Sequence, residues 1–228
     1  PGGATLRGVH ALECGAKFGW NGVDNGVLWF EHVRVPRAAL LGRYARLDAD
    51  GAYTCAFATP DRLFAATLEQ LLLGRVLYIG GPLVVLQQGL LAAVRYAGAR
   101  RQFGPPGQPE VPILSYRSHA RELSTMAARC LAYDACLLRV LQLYVDAKQR
   151  GDAALAKAHA LISGLKALTP VFATRSLLRL RALCGGHGYS AYSRFAGWLA
   201  DMDIFQSAEG DSTVLNQQVA AIVLKRFQ

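Results

Sequence analysis

Apolar residues recur at helical spacing through most of the chain after residue 60, and the longest such pattern lies between residues 115 and 149. A helix of that length extends roughly 50 Å at about 1.5 Å per residue. Its apolar positions follow the heptad spacing of a helix that packs along one seam, and they are Leu123, Met126, Cys130, Tyr133, Leu137, Val140 and Tyr144. Gly151 predicts the end of this helix, and Asp152 is a capping residue for the next one. So short a connection predicts two antiparallel neighbours.

Three further helices follow from the same periodicity. One covers residues 60–99 and is interrupted at Gly80-Gly81-Pro82, and another runs from Asp152 to about residue 183 with a disturbance at Pro170. The last covers residues 214–224. Four antiparallel helices joined by short loops form an up-down-up-down bundle, so the predicted fold is mostly α.

The first 59 residues differ from the rest in composition and in the spacing of their apolar residues. They are rich in glycine and contain a short run of strand-forming residues at 27–35, which Pro36 closes. The segment Asn21-Gly22-Val23-Asp24-Asn25-Gly26 supplies residues suited to tight turns. We therefore predict a β-rich segment at residues 1–59 and a helical domain at residues 60–228.

Composition narrows the class of protein. An apolar fraction of 52% suits a globular core, and five scattered cysteines are typical of free thiols inside a cell. The net charge of +9 favours anionic partners, but no nucleic-acid motif accompanies it. The apolar stretch between Arg75 and Arg95 contains a Gly-Gly-Pro interruption and two glutamines, so we interpret it as a core helix rather than a membrane span. Cys184 and His187 lack the second pair that a metal site requires.

One carboxylate stands at a helix start. Glu209 precedes Gly210 and a cluster of helix-capping residue types, Asp211, Ser212 and Thr213. Its local spacing alone indicates an acid that interacts favourably with the positive end of the helix dipole. A functional role for Glu209 is indicated only when other segments of the chain are considered with it.

Basic residues adjoin a flexible loop where the first long helix ends. Arg100, Arg101, Gln102 and Phe103 precede a proline-rich stretch at 105–109. Such side chains can bind phosphate while the phenyl ring stacks on a ligand, although cations at a helix C-terminus also complement the dipole. The Gly185-Gly186-His187-Gly188 turn is a second place where backbone can approach a ligand closely.

Together these segments resemble the acyl-CoA oxidase branch of the acyl-CoA dehydrogenase superfamily, over nearly the whole chain. The resemblance implies that residues 1–59 are the end of that family's middle β-domain and residues 60–228 its C-terminal helical domain. The matching segments are Asn-Gly-Val-Asp-Asn-Gly at 21–26, His-Val-Arg-Val-Pro-Arg at 32–37, Arg-Tyr at 95–96, Arg-Arg-Gln-Phe-Gly at 100–104, Cys-Gly-Gly-His-Gly-Tyr at 184–189 and Glu-Gly-Asp-Ser-Thr-Val at 209–214.

The resemblance also implies roles for single residues. Glu209 falls at the position of the family's catalytic base, which removes the α-proton of a fatty acyl-CoA while the β-hydrogen leaves as hydride to FAD. The implied cofactor-binding residues are Arg100, Arg101, Gln102, Phe103, Arg117, Gly185, Gly186 and Asp211. In this family the 100–103 segment holds the FAD of a neighbouring subunit, so the resemblance implies a homodimer. The resemblance, and not any targeting signal in these residues, implies a peroxisomal location as well.

Some positions depart from the family pattern. Ala182 and Arg117 occupy places where dehydrogenases carry glutamine, and the family's N-terminal helical domain and first half of the β-domain are not in the printed sequence. We therefore expect the chain to be part of a longer protein. Two alternatives remain: a dehydrogenase that passes electrons to an electron-transfer protein, and a helical assembly module without catalysis.

Overall fold

The computed structural model describes residues 5–68, 71–225 and 227, and the chain divides into two compact units, Pro1–Gln70 and Leu71–Gln228. In the first unit, strands β1 (Val9–Glu13) and β2 (Gly26–Phe30) pair antiparallel, with Val9 opposite Phe30. Strands β3 (Ala45–Leu47) and β4 (Tyr53–Cys55) form a second antiparallel pair, and helix α1 covers Pro60–Leu68. The predicted strand at 27–35 is thus shorter, because the chain bends after Phe30.

The second unit is helical. Its long helices are α2 (Leu71–Ala99), α3 (Arg117–Arg150) and α4 (Asp152–Leu183). Three shorter ones follow, α5 (Gly185–Tyr189), α6 (Phe195–Asp203) and α7 (Ser212–Leu224). Gly151, at φ +86°, is the only residue between α3 and α4, so the chain reverses there as predicted. Capping by Asp152 would involve a side chain outside the described part of the structure.

Helix α4 is the centre of the bundle, because it contacts α2, α3, α6 and α7. The shared core is formed by residues exposed by 2% or less, among them Leu72, Ile79, Leu83, Leu86, Ala97, Leu123, Ile162, Leu177, Leu180, Phe195 and Leu215. On α3, the predicted seam residues Leu123, Cys130 and Val140 are buried. The predicted fold class, a mostly helical antiparallel bundle preceded by a β-rich segment, is confirmed.

The predicted interruption at Gly80-Gly81-Pro82 is wrong, and the predicted continuation of the next long helix past Pro170 is confirmed. Helix α2 continues through Gly80, Gly81 and Pro82, and α4 continues through Pro170. Proline removes one N–H donor but leaves the other helical bonds, and packing holds the segment. A Cβ on Gly81 would lie 2.9 Å from Cε1 of Phe205, so the glycine lets the two segments pack closely. Both prolines are buried in the bundle.

Helix α2 is long and apolar enough to cross a membrane by length and composition. Its buried residues nevertheless include Leu72, Val76, Ile79, Leu83 and Leu86, and the helix contacts α3 and α4. This is the packing of a bundle helix. All five cysteines are free thiols, and the described residues contain no group of three or more histidine, cysteine or acidic side chains placed to hold a metal ion.

Candidate active site

The backbone at Glu209 has an unusual conformation. Glu209 lies in the left-handed region at φ +57°, and Gly210 follows at φ +112°. Asp211 then caps α7, because its Oδ1 accepts hydrogen bonds from the backbone N–H of Thr213 at 2.8 Å and of Val214 at 3.2 Å. A left-handed conformation costs a non-glycine residue about 1–3 kcal/mol and recurs at functional sites. The helix start predicted here is therefore present, and the acid before it is held under strain.

The carboxylate of Glu209 lies against the first turn of α2. Its Oε1, Oε2 and Cδ atoms come within 3.0–3.1 Å of the place where a Cβ of Gly74 would be. Glycine is thus the residue that leaves room for the acid. The Oε2 atom is buried and has no hydrogen-bond partner among the described residues. An unpaired buried carboxylate oxygen is costly for folding, and such exceptions occur where an atom is needed for chemistry.

Two buried cations hold the backbone of the same loop. The Nε of Arg75 on α2 donates to the carbonyl oxygen of Glu209 at 3.0 Å, and its Nη1 donates to Ser163 Oγ at 3.2 Å. Lys166 on α4 donates through Nζ to the carbonyl oxygen of Gly210. Arg75 is 6% exposed and Lys166 is fully buried.

Burial dominates the electrostatics of this cluster. It lowers the pKa of Lys166 to about 8, with repulsion from Arg75 adding to the effect and Asp211 and Glu209 opposing it. Burial also lowers the pKa of Arg75, which Glu209 partly offsets, and it lowers the pKa of His159 with help from Arg75. Sequence reasoning missed Arg75 and Lys166. A cation inside an otherwise apolar helix segment was the available signal, but it does not reveal which backbone atoms the side chain reaches.

The arginine segment predicted to bind a cofactor lies at the other end of α2. Arg100 and Arg101 are exposed, and Arg100 Nη2 donates to Gln102 Oε1 at 3.3 Å. Arg101 Nη1 donates to the carbonyl oxygen of Glu110 at 3.1 Å. Phe103 is 73% exposed and, like Glu209, has a left-handed backbone, at φ +58°. The segment therefore presents an aromatic ring and two guanidinium groups to solvent.

This arginine segment lies close to the double-glycine turn. The hydroxyl of Tyr96, on the last turns of α2, hydrogen-bonds to Nδ1 of His187 at 3.0 Å. Gly185 and Gly186 are exposed, and among the described residues no atom beyond their chain neighbours and their own helix backbone lies within 4 Å of where their Cβ atoms would be. The two predicted cofactor segments are thus brought together by a contact that the sequence did not reveal, and the open glycines leave room for a ligand.

The predicted residues therefore form two groups. Glu209 and Asp211 lie beside Arg75 near the start of α2, whereas Arg100–Phe103 and the double-glycine turn lie near its end. Arg117 is exposed at the first position of α3. From Arg75 to Tyr96 the helix rises by roughly 31 Å at about 1.5 Å per residue. The two groups within one chain are separate sites.

Comparison with known proteins decides the family. The family model described as acyl-CoA oxidase, C-alpha1 domain, matches residues 68–224, which include Glu209 and all of the predicted cofactor-binding residues. The chain belongs to the acyl-CoA oxidase family. The family resemblance inferred from the motifs is thus confirmed.

Full-length relatives of this acyl-CoA oxidase domain show how much of such a protein it represents. Acyl-coenzyme A oxidase 2, peroxisomal, from Arabidopsis thaliana is 45% identical over 98% of this chain and 32% of its own length. The structure of Arabidopsis thaliana acyl-CoA oxidase 1 gives a TM-score of 0.87 with 30% identity, over 96% of this chain and 34% of that one. Acyl-CoA oxidase-1 from Caenorhabditis elegans, crystallised with FAD and ATP, gives 0.85 with 29% identity, over 96% and 32%. The chain spans about a third of the length of these relatives.

Proposed function

We propose that this chain is the helical catalytic part of an FAD-dependent acyl-CoA oxidase, which converts a fatty acyl-CoA and oxygen into a trans-2-enoyl-CoA and hydrogen peroxide during fatty acid β-oxidation. The observation that carries the proposal is the strained Glu209, whose buried Oε2 has no partner among the described residues. Relatives that bear the word peroxisomal in their names support a peroxisomal location.

In this proposal Glu209 is the catalytic base. A general base must hold an oxygen free to accept a proton, and Oε2 is such an atom. Removal of the α-proton breaks the α-carbon–hydrogen bond and transfers the proton to the carboxylate, while the hydrogen on the β-carbon leaves as hydride. Bound FAD would supply the hydride acceptor, with dioxygen as the final acceptor of the two electrons. Arg75 and Lys166 bind the backbone of the loop, and burial of Oε2 keeps water away from that atom.

The cofactor would be held by the arginine segment and the double-glycine turn. Guanidinium groups suit a pyrophosphate, an exposed phenyl ring suits a stacked ring, and the space at Gly185 and Gly186 allows close backbone approach. Structural relatives crystallised with FAD support this choice of cofactor.

The separation of the two groups favours a homodimer. Glu209 and the arginine segment of one chain lie beside opposite ends of α2, which rises by roughly 31 Å between Arg75 and Tyr96, and we expect that one dinucleotide does not reach both. A complete site would therefore combine Glu209 of one copy with Arg100–Phe103 and Gly185–Gly186 of another. Arg117 and Asp211 are the remaining proposed contacts, and the carboxylate of Asp211 would have to serve the cofactor while it caps α7.

The test is the substitution Glu209→Gln in the full-length protein. We expect the variant to retain its FAD but to bleach it at least about a hundredfold more slowly when palmitoyl-CoA is added without oxygen, since general-base catalysis contributes about 10²–10⁴-fold. Glu122→Gln is the matched control, because Glu122 is a part-exposed carboxylate on α3 paired with Arg179. Normal bleaching by Glu209→Gln would dismiss Glu209 as the base.

The same preparation separates the alternatives. Release of peroxide in air is the expected result for an oxidase. An enzyme that palmitoyl-CoA reduces but oxygen does not reoxidise would instead be a dehydrogenase. A colourless full-length protein that takes up no FAD would be an assembly module.

A further inference from the structure

The loop that carries Glu209 is held by two buried cations from different helices. Arg75 on α2 and Lys166 on α4 donate to the carbonyl oxygens of two consecutive residues, Glu209 and Gly210. These are the residues whose backbones have positive φ angles. Such a conformation persists only where its surroundings enforce it. The two cationic donors are part of those surroundings.

We propose that Arg75 and Lys166 are positioning residues for Glu209, which fix the backbone of residues 209–210 so that the carboxylate stays against Gly74. The proposal rests on the proposed function, because it assumes that Glu209 is the base. Neither residue would touch the substrate.

The choice of acceptor atom supports a positioning role. Among the described residues, neither cation forms an ion pair with the Glu209 carboxylate; both bind neutral backbone carbonyls instead. A direct pair with arginine or lysine would stabilise the ionised carboxylate and make any such acid a poorer base. Binding to the carbonyl holds the loop and leaves the carboxylate able to accept a proton.

Ser163 extends the arrangement. Its Oγ accepts a hydrogen bond from Arg75 Nη1, and it lies on α4 one turn before Lys166, so both cations are anchored to the same helix. Ser163 and Lys166 are completely buried. A buried, fully packed donor holds its acceptor in a narrower range of positions than a solvent-exposed one. Helices α2 and α4 together therefore set the position of the loop.

The experiment compares Arg75→Met and Lys166→Met in the full-length flavoprotein. Both substitutions remove the donor and retain an apolar side chain of similar length. Thr169→Val is the control, because Thr169 is also fully buried on α4 and its hydroxyl donates to the carbonyl oxygen of Leu165 on its own helix.

Two measurements are made on each protein. The first is hydrogen exchange of the amides in residues 207–214. The second is exchange of the α-hydrogen of palmitoyl-CoA into D₂O after the flavin has been reduced with dithionite, so that proton removal is observed without oxidation. We expect both Met variants to exchange the loop amides faster and the α-hydrogen about tenfold to a hundredfold more slowly, since a 1 Å misplacement can cost about a hundredfold. Both exchange rates of Thr169→Val should stay at wild-type values.

Wild-type α-hydrogen exchange in both Met variants would overturn the proposal. Glu209→Gln, measured alongside, separates failure of the proposed function from failure of this inference. If α-hydrogen exchange persists in Glu209→Gln, Glu209 is not the base. If exchange is lost in Glu209→Gln but retained in the Met variants, Glu209 is the base and only the positioning role of Arg75 and Lys166 is refuted. If a Met variant fails to fold, Arg75→Lys and Lys166→Gln replace it, since they withdraw the donor from the carbonyl by shortening the side chain. A wild-type rate in those variants would equally overturn the proposal.

Discussion

Because Gly74 lies against the Glu209 carboxylate, the proposed role of Glu209 as the base can be tested by adding a single methyl group at residue 74. A Cβ at residue 74 would lie 3.0 Å from Cδ and Oε2 of Glu209 and 3.1 Å from Oε1. Ordinary contacts of this kind measure 3.4–4 Å, so the carboxylate would have to move by a few tenths of an ångström. The substitution Gly74→Ala therefore displaces the base without changing its chemistry.

The expected size follows from that displacement. If a 1 Å misplacement costs about a hundredfold in rate, a shift of a few tenths costs roughly three- to sixfold. Stability should change little, because the helix propensity of alanine, worth up to about 1 kcal/mol over glycine, offsets the crowding of the carboxylate. A slower enzyme with little loss of stability is an outcome that general damage to the fold would not produce.

The assay is the anaerobic rate of flavin bleaching by palmitoyl-CoA, together with the thermal midpoint of the full-length protein. Gly80→Ala is the matched control, since it lies on the same helix and its Cβ would meet Leu137 Cδ2 at 3.5 Å, an ordinary van der Waals contact. We expect Gly80→Ala to bleach at the wild-type rate. An unchanged rate in Gly74→Ala, or an equal loss in Gly80→Ala, would refute the reasoning.

Two further predictions concern charge. The pKa of Lys166 is about 8 in the folded protein against 10.5 for a free lysine, so the cost of burying its charge is fully present below pH 8 and is relieved as the pH rises through 10.5. The free energy of unfolding of the wild type, measured in urea relative to Lys166→Met, should rise by about 3 kcal/mol between pH 7 and pH 10.5, and a flat difference would contradict the buried charge. Arg100→Ala in the full-length protein should weaken FAD retention or dimerisation because it removes a phosphate-binding group, whereas Arg150→Ala, at the exposed end of α3, should not. Equal flavin content and equal mass in both variants, by spectroscopy and light scattering, would count against the arginine segment as a clamp.

Helices were predictable from the sequence wherever apolar residues recur along one face at helical spacing. The heptad seam on α3 and the single glycine between α3 and α4 follow from spacing and backbone freedom, which are local properties. The break expected at Pro82 was wrong because the local cost of a proline is smaller than the free energy gained by burying the segment that contains it, and local sequence rules do not include that burial. Helix α6 was missed for a related reason: its nine residues, Phe195–Asp203, are too few for a clear period, and its buried residues Phe195 and Met202 are identified as core only by their neighbours.

The features of the site likewise divide into those that local sequence determines and those that only tertiary packing determines. The sequence alone determined that an acid stands before a capped helix, that arginines and a phenylalanine follow the end of another, and, through its motifs, which family the chain belongs to. Only the tertiary structure decided that Gly74 makes room for the Glu209 carboxylate, that Arg75 and Lys166 hold the loop, and that Tyr96 joins the arginine segment to the double-glycine turn. The physical reason is separation along the chain: Arg75 and Glu209 are 134 residues apart and Tyr96 and His187 are 91 apart. Helix periodicity acts over a few residues, whereas these contacts exist only once α2 and α4 have packed.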